Sequence, residues 1–139
     1  MLVMVKKRIS SVMLIMLISS LMLLLAACGS SAEKYEKKNT DFSNDVEQLM
    51  MQNGFTGDVS IDENEILVTV DASDSVEGVE VTDELKNDLK DIYETNFDRS
   101  SDSMEAYLAK LRKEIGNDNI TITIKVMLND EELTSRTFE

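Results

Sequence analysis

Between residues 120 and 128 the chain reads ITITIKVML, and this run constrains the fold more than any other stretch. Ile120, Ile122, Ile124, Val126 and Leu128 alternate with Thr121, Thr123, Lys125 and Met127. Successive side chains of a strand point to opposite faces, so five aliphatic side chains fall on one face and must be covered. The other face is semi-polar, as in an antiparallel sheet that is wet on one side. Asn129-Asp130-Glu131 turns the chain, and ELTSRTFE returns as a last strand ending on Phe138. Upstream, DVSIDENEILVTVDA repeats the arrangement. Val59 and Ile61 share one face, Asp62-Glu63-Asn64 is a polar turn, and Ile66, Val68 and Val70 share the next face. The chain therefore encodes two hairpins.

The segments that must cover them carry a helical period. Phe42, Val46, Leu49 and Met50 recur at i, i+4, i+7 and i+8, with Gly54 as a stop. Thr82 or Asp83 can cap a second helix with the stripe Leu85, Leu89, Ile92 and Tyr93. NFDRSSDS reads as a break. Asp102 and Glu105 then stand at capping-box spacing before a third helix with Met104, Leu108, Leu111 and Ile115, closed by Gly116. The expected fold is α+β, a small antiparallel sheet of two hairpins packed against two or three helices. Helix, glycine and hairpin occur twice, an echo of duplication without residue identity.

The first residues obey a different rule. Lys6, Lys7 and Arg8 precede an almost purely apolar run over residues 12–27, the build of an export signal whose positive flank stays cytoplasmic. A secretory leader would end at a small-x-small site. A permanent span needs about 20 apolar residues, which residues 9–27 nearly supply. Neither reading uses the only cysteine of the chain, Cys28. Leu25-Ala26-Ala27-Cys28 resembles the lipobox of bacterial lipoproteins. That resemblance implies that the Cys28 thiol receives a diacylglycerol, that Leu25, Ala26 and Ala27 are read by the signal peptidase, and that Cys28 becomes the new N-terminus. Two acyl chains would hold a protein with on the order of 20 kcal/mol. The expected organisation is a leader over 1–27, a flexible polar tether over 28–40 that could stretch to about 40 Å, and one domain over 41–139.

Charge and composition then exclude chemistry. Without Lys6, Lys7 and Arg8 the 14 basic residues become 11 against 27 acidic ones, a formal charge of about −16. Such a surface does not suit nucleic acid, whose binding rests on Lys and Arg, and it resists lying flat on anionic lipid. The chain has no histidine, the commonest general base and metal ligand. Serines at 60, 73, 75, 100, 101, 103 and 135 thus lack their usual activator, and Lys86, Lys90, Lys110 and Lys113 fall on the expected outer helix faces. Asp71, Ser73, Ser75 and Glu77 alternate as in the start of a calcium loop, but Val76 stands where that loop needs glycine and Thr82 where it needs glutamate. Met50, Met51, Met104 and Met127 could form a soft-metal or promiscuous binding surface, but most lie in helical or strand stripes and read as packing.

Residues 82–139, from ELKNDLKDIYE through the terminal hairpin, resemble the end of small uncharacterised lipoproteins of Gram-positive bacteria. In those, two amphipathic helices precede a strand, a turn and a strand closing on an aromatic residue. The resemblance implies no activity, no cofactor and no catalytic or metal-binding residue. The expectation is an extracytoplasmic protein held in the cell membrane by Cys28. It would act without catalysis, through an envelope protein partner or, alternatively, as a small-ligand or cation-binding accessory.

Overall fold

A computed structural model describes residues 31–139; the leader and the motif Leu25-Ala26-Ala27-Cys28 lie outside them. The elements are α1 (Ala32–Lys38), α2 (Phe42–Gln52), β1 (Asp58–Asp62), β2 (Glu65–Asp71), a short 3-10 turn (Ser73–Val76), α3 (Asp83–Ile115), β3 (Thr121–Leu128) and β4 (Glu131–Phe138). The sheet runs in the order β1-β2-β3-β4. Both hairpins are antiparallel, and β2 pairs with β3 in parallel, from Glu65 against Thr121 to Asp71 against Met127. The class is α+β with a mostly antiparallel sheet, as the alternation requires.

A parallel pair needs a long crossover, because both strands run the same way and the chain must return to its starting edge. α3 is that crossover. Its 33 residues span about 50 Å at 1.5 Å per residue. Here the structure corrects the sequence expectation, since one helix replaces two and NFDRSSDS does not break it. Phe97 and Ser100, inside the supposed break, are buried. The Ser100 hydroxyl donates to the carbonyls of Asn96, at 2.7 Å, and Phe97, at 3.2 Å, and the Thr95 hydroxyl donates to the Asp91 carbonyl at 2.8 Å. Polar side chains that favour turns are thus satisfied by the helix's own backbone. Thr82 caps the start, its hydroxyl accepting from Leu85 N–H at 3.2 Å. Gly116 ends the helix at φ 76°, where a left-handed residue is required, with its N–H on the Arg112 carbonyl. Asp102 is an interior residue and caps nothing.

The second correction lies at the other end. Residues 32–38 were expected in the tether, yet they form α1. Ser31 Oγ accepts from Lys34 N–H at 3.1 Å as its N-cap. Glu33 N–H donates to the Glu63 carbonyl at 2.9 Å, and Glu63 N–H donates to a Glu33 carboxylate oxygen at 3.1 Å. Ala32 is fully buried, and Tyr35 meets Phe42 edge-on with ring centroids 5.1 Å apart. Seven residues are too few to display a period, so only tertiary contact reveals this helix. The folded body therefore includes α1 and does not wait for Asp41.

One core serves all elements. The expected stripes enter it: Phe42, Val46 and Met50 from α2, Ile66, Val68 and Val70 from β2, and Ile122, Ile124, Val126 and Leu128 from β3. At its centre Phe55 and Phe97 stack with centroids 5.5 Å apart, and the Arg136 guanidinium lies 5.2 Å over the Phe97 ring while bonding Asp98 at 2.6 Å. Gly57 is demanded by a close approach, because a Cβ there would stand 2.3 Å from the Thr69 carbonyl oxygen. The β3–β4 turn places Asn129 at φ 50° and Asp130 at φ 65°, the paired positive angles that match the twist of a two-residue hairpin. Among the described residues, helices cover one face of the sheet. A duplication carrying β1 onto β3 in this strand order would place the second helix on the opposite face, so the helix-and-hairpin echo is not a structural repeat.

Candidate functional site

The described residues form several surface clefts, and the one best equipped to recognise a ligand lies between the helices. It encloses about 370 Å³ and is lined by Tyr35, Phe42, Asp45, Tyr107, Lys110, Leu111 and Glu114. α1 supplies Tyr35 and the first turn of α2 supplies Phe42 and Asp45. The second half of α3 supplies Tyr107, Lys110, Leu111 and Glu114, at i, i+3, i+4 and i+7, which is one helix face. Phe42 and Leu111 are buried and form the floor, while the two tyrosines are half-buried and form walls. The Tyr35 hydroxyl points to Glu114 Oε2 at 3.5 Å. Burial, then the Asp45 carboxylate, then Tyr35 and Glu114, push the Tyr107 phenol up to about 12. Burial and Glu114 also raise Tyr35. A second cleft of about 380 Å³ shares Tyr35, Phe42 and Asp45 and continues to Lys38, Asn39 and Thr40.

A separate groove at the start of β1 is lined by Thr56, Gly57, Asp58, Thr69, Asp71, Asp74, Ser75 and Tyr93, among others, and encloses about 380 Å³. Here the residues examined for calcium find other work. The Ser73 hydroxyl, and then the Ser73 N–H, which donates to Asp71 Oδ1 at 2.9 Å, hold that carboxyl below its usual range. The Ser75 hydroxyl donates to the Ala72 carbonyl at 2.6 Å, and Ser73 Oγ accepts from Asn129 N–H at 2.9 Å. Among the described residues no group of three or more His, Cys, Asp or Glu side chains is placed to hold a metal ion.

Among the described residues, the lysines considered with the serines are occupied elsewhere or stand apart from them. Lys86 pairs with Glu131 at 3.4 Å and Lys90 with Glu94 at 4.0 Å. Lys110 lines the helical cleft, whose lining contains no serine. Of the methionines, Met50 and Met104 are buried as expected for packing, but Met51 stands 63% exposed. The lipidation residue Cys28 and the recognition residues Leu25, Ala26 and Ala27 lie outside the described residues. Among the described residues no helix is long and apolar enough to cross a membrane; α3 has the length but is studded with charge.

Sequence reasoning passed over Tyr35, Asp45 and Tyr107. The usable signal was the i, i+3, i+7 spacing of Tyr107, Lys110 and Glu114, which puts an aromatic and two charges on one face of a helix. Tyr35 had no such signal, because it sat in a segment expected to be a tether. Neither the curated proteins nor the solved structures contain a match to this chain. A family model does match, from residue 33 in α1 to residue 138 at the end of β4, and by that match the chain belongs to the family described as a domain of unknown function, DUF4854.

Proposed function

We propose that this chain is a lipid-anchored extracytoplasmic lipoprotein whose folded body is a non-enzymatic binding module in the cell envelope. The observation that carries the reading is the sequence Leu25-Ala26-Ala27-Cys28 at the end of a basic and then apolar leader. The lone cysteine has a use in this reading and in no other. The resemblance of residues 82–139 to small lipoproteins of Gram-positive bacteria supports the same compartment. Because Ser31 already caps a helix of the body, no more than three peptide steps separate that body from Cys28, a reach of at most about 11 Å. An anchor at Cys28 would therefore keep the module close to the bilayer surface instead of on a 40 Å leash.

The test is mass spectrometry of the full-length product extracted from a Gram-positive expression host. A chain starting at Cys28 with a diacylglycerol on its sulfur is expected, and Cys28→Ala abolishes both the lipid and the cleavage. Retention of residues 1–27 with an unmodified sulfur would overturn the reading.

Within that frame the helical cleft favours a second reading, a small-ligand or cation-binding accessory. Its aromatic walls and carboxylates line one surface cleft, whereas no single surface among the described residues argues for an envelope protein partner. Neither reading assigns a catalytic residue, a cofactor or nucleic acid.

A further inference from the structure

We infer that the cleft between α1, α2 and the second half of α3 binds an organic ammonium group, held by the rings of Tyr35 and Tyr107 and by the carboxylates of Asp45 and Glu114. The inference deepens the ligand-binding reading above by naming the site and the class of ligand.

An ammonium ion is attracted to the negative face of an aromatic ring, and the attraction grows as water is excluded. The cleft offers two half-buried tyrosine rings over an apolar floor of Phe42 and Leu111. It also offers two negative charges from separate helices, Asp45 on α2 and Glu114 on α3. Both are near enough to the Tyr107 hydroxyl to hold its proton on, as is Asp45 for Tyr35. A cation entering this volume is attracted by both carboxylates, an attraction that an anion or a neutral polar group does not gain. The volume of about 370 Å³ lies in the range of small-ligand sites. Lys110 is the one cation in the lining and leaves the lining with a net charge of −1. Its side chain is exposed and forms no ion pair within 4 Å among the described residues, so its four-carbon stem is free to carry the charge into solvent.

The test uses the full chain in a sugar-headgroup detergent, with the three tyrosines labelled on their rings and followed by NMR. Choline is titrated first, then butylammonium, then 3,3-dimethylbutanol, the neutral isostere of choline. Choline is expected to shift the Tyr35 and Tyr107 signals saturably at millimolar concentration, the isostere to leave them in place, and Tyr93, in the separate acidic groove, to stay still. Stronger shifts with choline than with butylammonium identify a quaternary headgroup, and the reverse identifies a lysyl-type amine. Asp45→Asn should weaken binding and Lys110→Met should tighten it, each by about two- to fivefold. These opposite signs separate recognition of charge from damage to the fold.

Silence at Tyr35 and Tyr107, equal shifts with the neutral isostere, or equal shifts at Tyr93 would overturn the inference. Mass spectrometry of the same sample reports on Cys28 independently. A chain that binds choline without a lipid therefore retains this site and loses the anchor, and a lipidated chain that ignores choline does the converse.

Discussion

From residue 83 to residue 96 helix α3 buries no side chain fully, whereas from Phe97 to Ile115 it buries Phe97, Ser100, Met104, Leu108, Leu111 and Ile115. The two halves share an axis and a hydrogen-bond ladder, but not an environment. The first half turns Leu85, Leu89 and Tyr93 partly toward the core and leaves Ile92 56% exposed. Its side-chain ties to the sheet are the surface pair Lys86–Glu131, of the kind worth about 0–1 kcal/mol, and a Thr134 hydroxyl donating to Glu94 at 3.5 Å. The second half carries the central ring stack, the Arg112 bonds to the Ile120 carbonyl at 3.0 and 2.7 Å, and one wall of the helical cleft. Helical pattern alone therefore does not locate stability. The first half has a recognisable stripe and little burial, and the junction has no recognisable stripe and a fully buried ring.

The contrast can be broken most sharply at that junction. Phe97→Ala removes a ring stacked on Phe55 and capped by Arg136, and should cost about 3–5 kcal/mol in denaturant unfolding. A loss below 1 kcal/mol would show that the ring is not central. Continuity of the helix is tested by Ser103→Pro. In an unbroken helix the proline removes a hydrogen bond and clashes with the preceding turn, costing about 3 kcal/mol. Were Asp102 the cap of a separate helix, proline at its first position would be tolerated. Native-state hydrogen exchange then compares the halves directly, and amides of residues 87–94 should exchange at least about tenfold faster than those of residues 104–111.

A smaller effect should appear in alkali. Tyr107 keeps its proton up to about pH 12 in the folded chain, whereas an unfolded tyrosine releases it near 10. Between those values the unfolded state binds fewer protons, so stability falls as pH rises through the window and is whole below it. Tyr107→Phe should flatten that part of the decline in urea midpoints measured from pH 9 to 12. The smallest effect belongs to the first half of α3, where Ile92→Ala should change stability by less than about 0.5 kcal/mol. A loss above 1.5 kcal/mol would reveal packing on that face.

The strands were the most legible part of the chain, because a period of two cannot be mistaken when one face is wet. β3, β4 and the Ile66, Val68, Val70 face of β2 stand as the alternation requires. The α2 stripe and the C-terminal half of α3 were equally plain. Three things were not legible. Phe55 and Phe97, the two largest fully buried side chains, lie outside every stripe, Phe55 just past the Gly54 stop and Phe97 in the supposed break, since an isolated aromatic among polar residues carries no period. α1 was too short to have one. The parallel pairing of β2 with β3 depends on the length of a helix that seemed to be two. Of the candidate site, the spacing of Tyr107, Lys110 and Glu114 carries a one-face signal that went unused, and their meeting with Tyr35 and Asp45 depends on α1 folding back onto the body.

By itself the sequence determined the alternating faces of the sheet, the amphipathic face of α2, the caps at Thr82 and Gly116 and the acidic surface, because each is written in residues a few positions apart. Tertiary structure alone decided that residues 95–102 remain helical, that residues 32–38 fold at all, and that two tyrosines and two carboxylates share one cleft. Local preference at those places is weak or contrary. What overrides it is burial against partners tens of residues away, which no window along the chain contains.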